Sequence, residues 1–228
     1  MTAQMTTSKK VVRFKTQSTV LKSLTSSDPN RSRTASDVQI QTARPDDQSR
    51  VLSALALAFS ADPANRWMYP APETFLRYFP VFARALGGRA FECGTAHFIG
   101  DVRAAALWLP PGVAPDEEAL MSLFEGTIPA QDREVLFAIF EQMGNYHPRH
   151  PHWYLPLIGV DPVQQRRGYG SMLLEHTLKI CDQDSVPAYL ESSNQENIPL
   201  YQRHGFEVLG TIQVGTCPPV TPMLRHPR

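Results

Sequence analysis

The sequence predicts an α/β (α+β) fold, a mixed sheet flanked by helices, and three observations carry that expectation. From Trp153 the pattern runs strand, glycine turn, helix, strand, helix, strand, an alternation that builds a mixed sheet. Upstream, several stretches repeat apolar residues at helical spacing between proline and glycine breaks. The 228 residues, 42% of them hydrophobic, suffice for one sizeable core and make a single domain with an appendage the default.

Residues 1–36 are rich in Ser, Thr and Lys without sustained apolar periodicity, so a disordered basic extension is expected ahead of a folded domain at 37–228. A basic, Ser-rich, acid-poor segment also suits organelle targeting, and Met5 is an alternative start. The fold begins at Asp37, where Val38 and Ile40 alternate with Gln39 and Gln41 as in a half-buried strand. Val51, Leu52, Leu55, Leu57, Ala58 and Phe59 recur at helical spacing until Asp62-Pro63 breaks the run. Trp67, Met68 and Tyr69 are expected in a loop closed by two prolines. An amphipathic helix over 75–86 stops at Gly87-Gly88, and short strands are expected around Phe91 and over Ala104–Leu109. Residues 116–143 read as two helices interrupted at 126–129, burying Leu136, Phe137, Ile139, Phe140 and Met143. Then come a strand Trp153–Val160, a helix over about 171–181, a strand Ala188–Ser192, a helix over 199–204 and a strand over 206–209.

The formal net charge of zero divides into +6 on residues 1–36 and −6 on the remainder, which argues against nucleic-acid binding by the folded part. Cys93, Cys181 and Cys217 are odd in number and share no CxxC spacing. Neither a disulfide framework nor a thiolate zinc site is expected, and a reducing, cytoplasmic setting fits best. No run approaches the ~20 apolar residues that span a bilayer, so a soluble protein without a membrane partner is expected.

The chemistry is concentrated in Val160-Asp161-Pro162-Val163-Gln164-Gln165-Arg166-Arg167-Gly168-Tyr169-Gly170-Ser171. This segment runs from a strand end into a helix N-terminus, where backbone N–H groups lack intrahelical partners and bind anions. Gly168 and Gly170 have no Cβ, so a pyrophosphate can approach the backbone, while Arg166 and Arg167 neutralise charge at the rim. A Walker A loop is excluded by its missing Lys-Ser/Thr, and a GxGxxG loop by Leu173 at the third glycine. Leu173, Thr177 and Cys181 lie four apart, as do Leu174 and Leu178, giving the following helix one apolar face. An ordinary glycine-bearing turn is the alternative for the motif taken alone.

Gln165-Arg166-Arg167-Gly168-Tyr169-Gly170 resembles the Q/R-x-x-G-x-G/A signature of GNAT acetyltransferases. Two further runs agree: Leu157-Ile158-Gly159-Val160-Asp161-Pro162 resembles that family's fourth strand, and Asn197 through Tyr201 to Gly205-Phe206 resembles its N-x-x-x-Y-x-x-x-G-F signature. The resemblance is strong over about residues 150–209 and weaker from residue 38 onward. Within the superfamily, Phe59-Ser60-Ala61-Asp62-Pro63, Trp153-Tyr154-Leu155 and Pro187-Ala188-Tyr189-Leu190-Glu191-Ser192-Ser193 are similar to puromycin N-acetyltransferases. Pro222 stands before Met223 where those relatives often carry an aromatic, which leaves acceptor contacts from the last strand open.

The resemblance implies a GNAT fold, mostly antiparallel with splayed central strands, and direct transfer of acetyl from acetyl-CoA to the primary amine of a small molecule, without a metal. Coenzyme contacts would come from Ile158, Gly159 and Val160, from Gln165, Arg166, Arg167, Gly168, Tyr169, Gly170 and Ser171, and from Asn197. Pro156 and Gly159 suit a strand that parts from its neighbour, or a bulged strand that binds nothing. By resemblance Tyr201 is the general acid for the coenzyme thiolate, on a short helix that Asn197 caps, Pro199 starts and Gly205 ends. A tyrosine packed with its hydroxyl at the surface is the alternative. Glu191 interrupts an apolar strand and either meets the cationic acceptor, as anchor or base, or points to solvent.

Asp62, Trp67, Tyr154 and Glu191 are expected to bound an acceptor cavity suited to a cationic amine with an apolar or aromatic body. A helix-ending Asp-Pro and core aromatics account for Asp62, Trp67 and Tyr69 about as well. His147, His150 and His152 invite a metal reading, yet Pro148, Arg149 and Pro151 fit a stiff loop better, with His152 or Tyr154 near the acceptor. Two rivals stand beside this function. One is a protein or peptide N-acetyltransferase, with 116–150 leaving an open groove instead of a lid. The other is a non-catalytic acyl-CoA sensor, against which Tyr201 argues. The oligomeric state is left open.

Overall fold

Alanine and leucine make Ala104–Leu109 apolar on both sides, and every residue of that run is buried, as a strand covered on both faces requires. In the computed structural model, which describes residues 38–228, it is β3 of a seven-stranded sheet with β1 Ile40–Thr42, β2 Ala96–Ile99, β4 Trp153–Val160, β5 Ala188–Ser192, β6 Glu207–Val208 and β7 Thr221–Arg225. The strand order is β1-β2-β3-β4-β5-β7-β6. Within it β4 and β5 run parallel and the other neighbours antiparallel. The expected mixed, mostly antiparallel sheet is present; the expectations for residues 1–36 lie outside the described residues.

Period-two alternation sends successive side chains to opposite faces. Ala105, Leu107, Leu109, Tyr154 and Tyr189 pack on one face beneath α1 Gln48–Ala58, α3 Pro72–Gly87, α5 Glu117–Thr127 and α6 Ala130–Tyr146. Ala104, Ala106, Trp108, Trp153, Leu155 and Leu190 pack on the other beneath α7 Tyr169–Gln183 and α8 Ile198–Arg203. The face of α7 bearing Leu173, Leu174, Leu178 and Cys181 is buried throughout, at about 1.5–3 kcal/mol for each large aliphatic side chain.

Two local expectations need correction. Trp67 and Met68 lie in a helix, α2 Pro63–Met68, because Asp62-Pro63 that ends one helix also starts the next: Asp62 Oδ1 accepts from the Asn65 N–H at 3.0 Å, with Pro63 in the first turn. Phe91 lies in a helical turn, α4 Arg89–Glu92, since Gly88 keeps a right-handed conformation at φ −64° and the chain coils on. Gly94, at φ +68°, ends that turn, and the strand begins at Ala96.

The splay between the central strands is visible in the pairing. β4 pairs with β5 at Trp153↔Ala188 and Tyr154↔Tyr189 and then leaves it. At that point the β3–β4 register slips, from Leu109↔Tyr154 to Leu107↔Leu157, so β4 carries one extra residue beside Pro156. The bulge puts Pro156, which has no donor to lose, where the strands part. Gly159 answers to a different demand: a Cβ there would stand 2.7 Å from Ala58 Cβ and 3.1 Å from Leu55 Cδ2, so its hydrogen is what lets α1 lie against β4.

Candidate active site

The glycine turn forms where β4 hands the chain to α7. Asp161 Oδ1 accepts from the Val163 N–H at 3.0 Å and opens a 3-10 turn, Pro162–Gln164. Arg166 (φ +60°) and Gly168 (φ +82°) are then both left-handed, and Gly168 caps α7. No atom lies within 4 Å of the position a Gly168 Cβ would take, at the start of a 15-residue helix whose first-turn amides lack intrahelical partners. Gln165, Arg166 and Arg167 are exposed beside this turn. Tyr169 is 7% exposed and packs into the core beneath α7, leaving its backbone to the turn, and Ser171 Oγ meets His204 Nε2 at 3.0 Å. Ile158, Gly159 and Val160 lie on β4 beyond its last pair with β5. The cradle and this unpaired strand edge fit a pyrophosphate with an amide-bearing arm.

Tyr201 sits on α8, whose start differs from expectation. Asn197 has helical dihedrals (φ −86°, ψ −16°) and makes no capping bond. Asn194 does that work, accepting from the Glu196 N–H at 3.0 Å at the head of the 3-10 turn Gln195–Asn197. The end is as expected: Gly205 is left-handed at φ +88°, its N–H meets the Gln202 carbonyl at 2.9 Å, and the Phe206 N–H meets the Tyr201 carbonyl at 3.1 Å. The Tyr201 side chain is 6% exposed and stacks edge-on to Phe206. Burial, and after it the Asp62 carboxylate, push its phenol well above the ordinary tyrosine value, so the hydroxyl keeps its proton at neutral pH.

Glu191 shares the sheet face of Tyr189 and Tyr154, and its side chain is 4% exposed, so it does not point to solvent. The Tyr154 hydroxyl is directed at its carboxylate; burial first and that charge second hold Tyr154 well above the ordinary range. Tyr189 faces the same carboxylate, which adds to a rise caused mainly by burial, but its hydroxyl reaches no partner at hydrogen-bonding geometry. His147, just past the end of α6, places Nδ1 3.7 Å from Glu191 Oε1. His147 was not among the expected site residues. The signal available for it was the spacing of 147, 150 and 152 against a strand start, and its partner lies 44 positions away.

Two cavities meet at Tyr154 and Glu191. One of about 490 Å³ is walled by α5 and α6 through Leu120, Phe140 and Met143 and ends on His147, His152 and Glu191. A smaller one is lined by Trp67, Tyr154 and Glu191 among apolar side chains. Trp67 Nε1 donates to Thr216 Oγ1 at 3.1 Å. Asp62 borders neither cavity: its Oδ1 takes Asn65 at 2.8 Å and its Oδ2 takes the Ser193 hydroxyl at 2.6 Å. Pro222 lies directly across from Glu191 in β7 and so backs the carboxylate on the same face. Among the described residues no group of three His, Cys, Asp or Glu side chains is arranged to hold a metal ion, and no helix is long and apolar enough to cross a membrane.

Residues 113–206 match the model of the acetyltransferase (GNAT) family, a span that takes in α5, α6, the glycine turn and Tyr201. An uncharacterised N-acetyltransferase of Schizosaccharomyces pombe is 28% identical over 180 residues, 70% of each chain. A Corynebacterium glutamicum structure described as histone acetyltransferase HPA2 and related acetyltransferase superposes with a TM-score of 0.59 at 25% identity, over 84% of this chain and 97% of the other. Drosophila melanogaster polyamine N-acetyltransferase shares the fold with a TM-score of 0.63 at 14% identity, over 83% of this chain and 100% of the other. Sheet order, parted central strands, glycine turn and matched segment agree, and together they show that the chain has the GNAT fold.

Proposed function

We propose that the protein moves the acetyl group of acetyl-CoA directly onto the primary amine of a small molecule. The observation that supports this best is the buried Glu191 carboxylate at the meeting point of two largely apolar cavities, beside the gap between β4 and β5. A thioester needs a neutral nitrogen held against its carbonyl carbon, a donor for the developing oxyanion and a proton for the departing sulfur.

In this reading the amides of Gly168, Tyr169, Gly170 and Ser171 hold the pyrophosphate, Gln165, Arg166 and Arg167 rim it, and Asn197 borders the coenzyme. Ile158, Gly159 and Val160 offer backbone groups to the pantetheine arm. Tyr201 Oη protonates the sulfur, and a phenol kept protonated by burial and by Asp62 is in the right state to do so. Asp62 acts as that fixed charge and not as a cavity wall, since both its oxygens are engaged. Trp67, Tyr154 and Glu191 receive the acceptor, the carboxylate taking the ammonium and the rings its body. The finer likeness to puromycin N-acetyltransferases and a cytoplasmic location, which suits three free thiols, belong to the same proposal.

The test is a screen of amines with acetyl-CoA, read as free thiol. Cationic amines carrying an aromatic or apolar body are expected to outperform polycationic aminoglycosides and histone-like peptides. A screen in which Lys-bearing peptides alone react would overturn the small-molecule assignment in favour of a protein acceptor.

A further inference from the structure

Between the end of α6 and the start of β4, two histidines form a chain whose hydrogens follow from its ends. His152 Nδ1 lies 2.8 Å from the His150 carbonyl oxygen, which only accepts, so Nδ1 carries the hydrogen and Nε2 of the neutral ring is a lone pair. Burial favours that neutral ring. His147 Nε2 stands 2.9 Å from this lone pair and therefore donates, so in the neutral His147 ring the lone pair falls on Nδ1. That atom is the one 3.7 Å from Glu191 Oε1. The His147 ring meets Tyr154 and Tyr189 edge-on at 4.9 and 4.8 Å between centroids, and it lines the 490 Å³ cavity.

Resting on the acetyltransferase reading above, we propose that His147 is the base that deprotonates the acceptor's ammonium group, that Glu191 anchors this ammonium and then the imidazolium, and that His152 is a positioning residue that fixes the tautomer. One ammonium N–H bond breaks as the hydrogen bonds to His147 Nδ1, and the freed lone pair forms the C–N bond. The C–S bond breaks and sulfur takes the phenolic proton of Tyr201. The nitrogen's second proton restores the phenol through solvent, the imidazolium proton leaves to solvent, and the amide keeps one hydrogen. His147 suits this traffic better than Glu191: a third of its side chain (33%) reaches solvent, against 4% for the carboxylate. The other titratable groups facing it are His152 before β4, Tyr154 on β4 and Tyr189 on β5.

Full-length protein is assayed for thiol release with acetyl-CoA and the best amine of the screen. His147→Ala should lower kcat about 10²-fold with the acetyl-CoA KM unchanged, and added imidazole should restore part of the rate. Nitrogen NMR of histidine-labelled wild type reads the tautomers without turnover and without any variant. It should show N–H at His147 Nε2 and His152 Nδ1, and His152→Ala should leave His147 in mixed tautomers. An active wild type whose His147→Ala variant keeps its rate overturns this proposal alone, as does a neutral His147 with its hydrogen on Nδ1. A wild type that acetylates no amine overturns the acetyltransferase reading together with it.

Discussion

Gly168→Asp separates the cradle from the fold, because the two costs can be worked out independently. A non-glycine residue at φ +82° costs about 1–2 kcal/mol, with Asp and Asn at the mild end, and the new Cβ meets nothing within 4 Å. The protein should therefore stay folded, given a usual stability of about 5–15 kcal/mol. The ligand-side cost is electrostatic. A carboxylate about 5 Å from one phosphate charge is repelled by about 1–3 kcal/mol for an effective dielectric between 80 and 20, so acetyl-CoA should bind about 5- to 150-fold more weakly. Gly168→Asn has the same shape without the charge, and the gap between the two variants should shrink as salt rises. Calorimetric titration measures both, with thermal melting as the control on folding. Folded Gly168→Asp protein that binds acetyl-CoA as wild type does would refute the cradle.

Glu191→Gln should raise the acceptor KM or lower turnover while acetyl-CoA affinity holds, since the lost charge lies at the cavity end and not at the glycine turn; steady-state kinetics with calorimetry would expose an equal loss in both. Gly159→Ala should cost about 1–3 kcal/mol by overpacking against Ala58, lowering Tm by several degrees. Ala58→Gly in the same chain should recover part of that loss, and no recovery would mean the contact is not the cause. His97 is held at about 4, below its ordinary 6.5, by burial and then by His176. The unfolded chain therefore binds the extra proton between those values, and stability falls as pH drops from 6.5 to 4, by at most about 3 kcal/mol from this residue. Urea unfolding of wild type and His97→Asn should show the wild type losing more across that window, and parallel losses would exclude His97 as the source.

What could be read from the sequence follows the range over which each signal acts. Trp153–Val160 and Ala188–Ser192 coincide with their expected bounds because each is a largely apolar run, buried at its start and closed by local turn chemistry. The turn at Gly168 is equally local: two left-handed residues and a helix start within a few positions. Errors arose where one residue type serves two purposes. Asp62-Pro63 reads as a breaker and is also a helix start, and Asn194 stands three residues before the Asn197 that was expected to cap. The surroundings of Glu191 were hidden for a different reason. Alternation along β5 fixes which face it takes, but only the pairing of β4 with β5 and the end of α6 bring Tyr154, Tyr189 and His147 to it. Gly159 shows the same limit, since its reason is a helix about 100 positions away.

Under the proposed function, the parted strands and the cavities beside them serve turnover and not mere coenzyme sensing. Thiol release from acetyl-CoA with and without amine, with the acetylated amine identified by mass, tests it most directly. Release should require the amine, match the acetylated product mole for mole and fall about 10²-fold in Tyr201→Phe at unchanged acetyl-CoA affinity. Tight acetyl-CoA binding with no amine-dependent release across the whole panel, or full turnover by Tyr201→Phe where chemistry limits the rate, would contradict it.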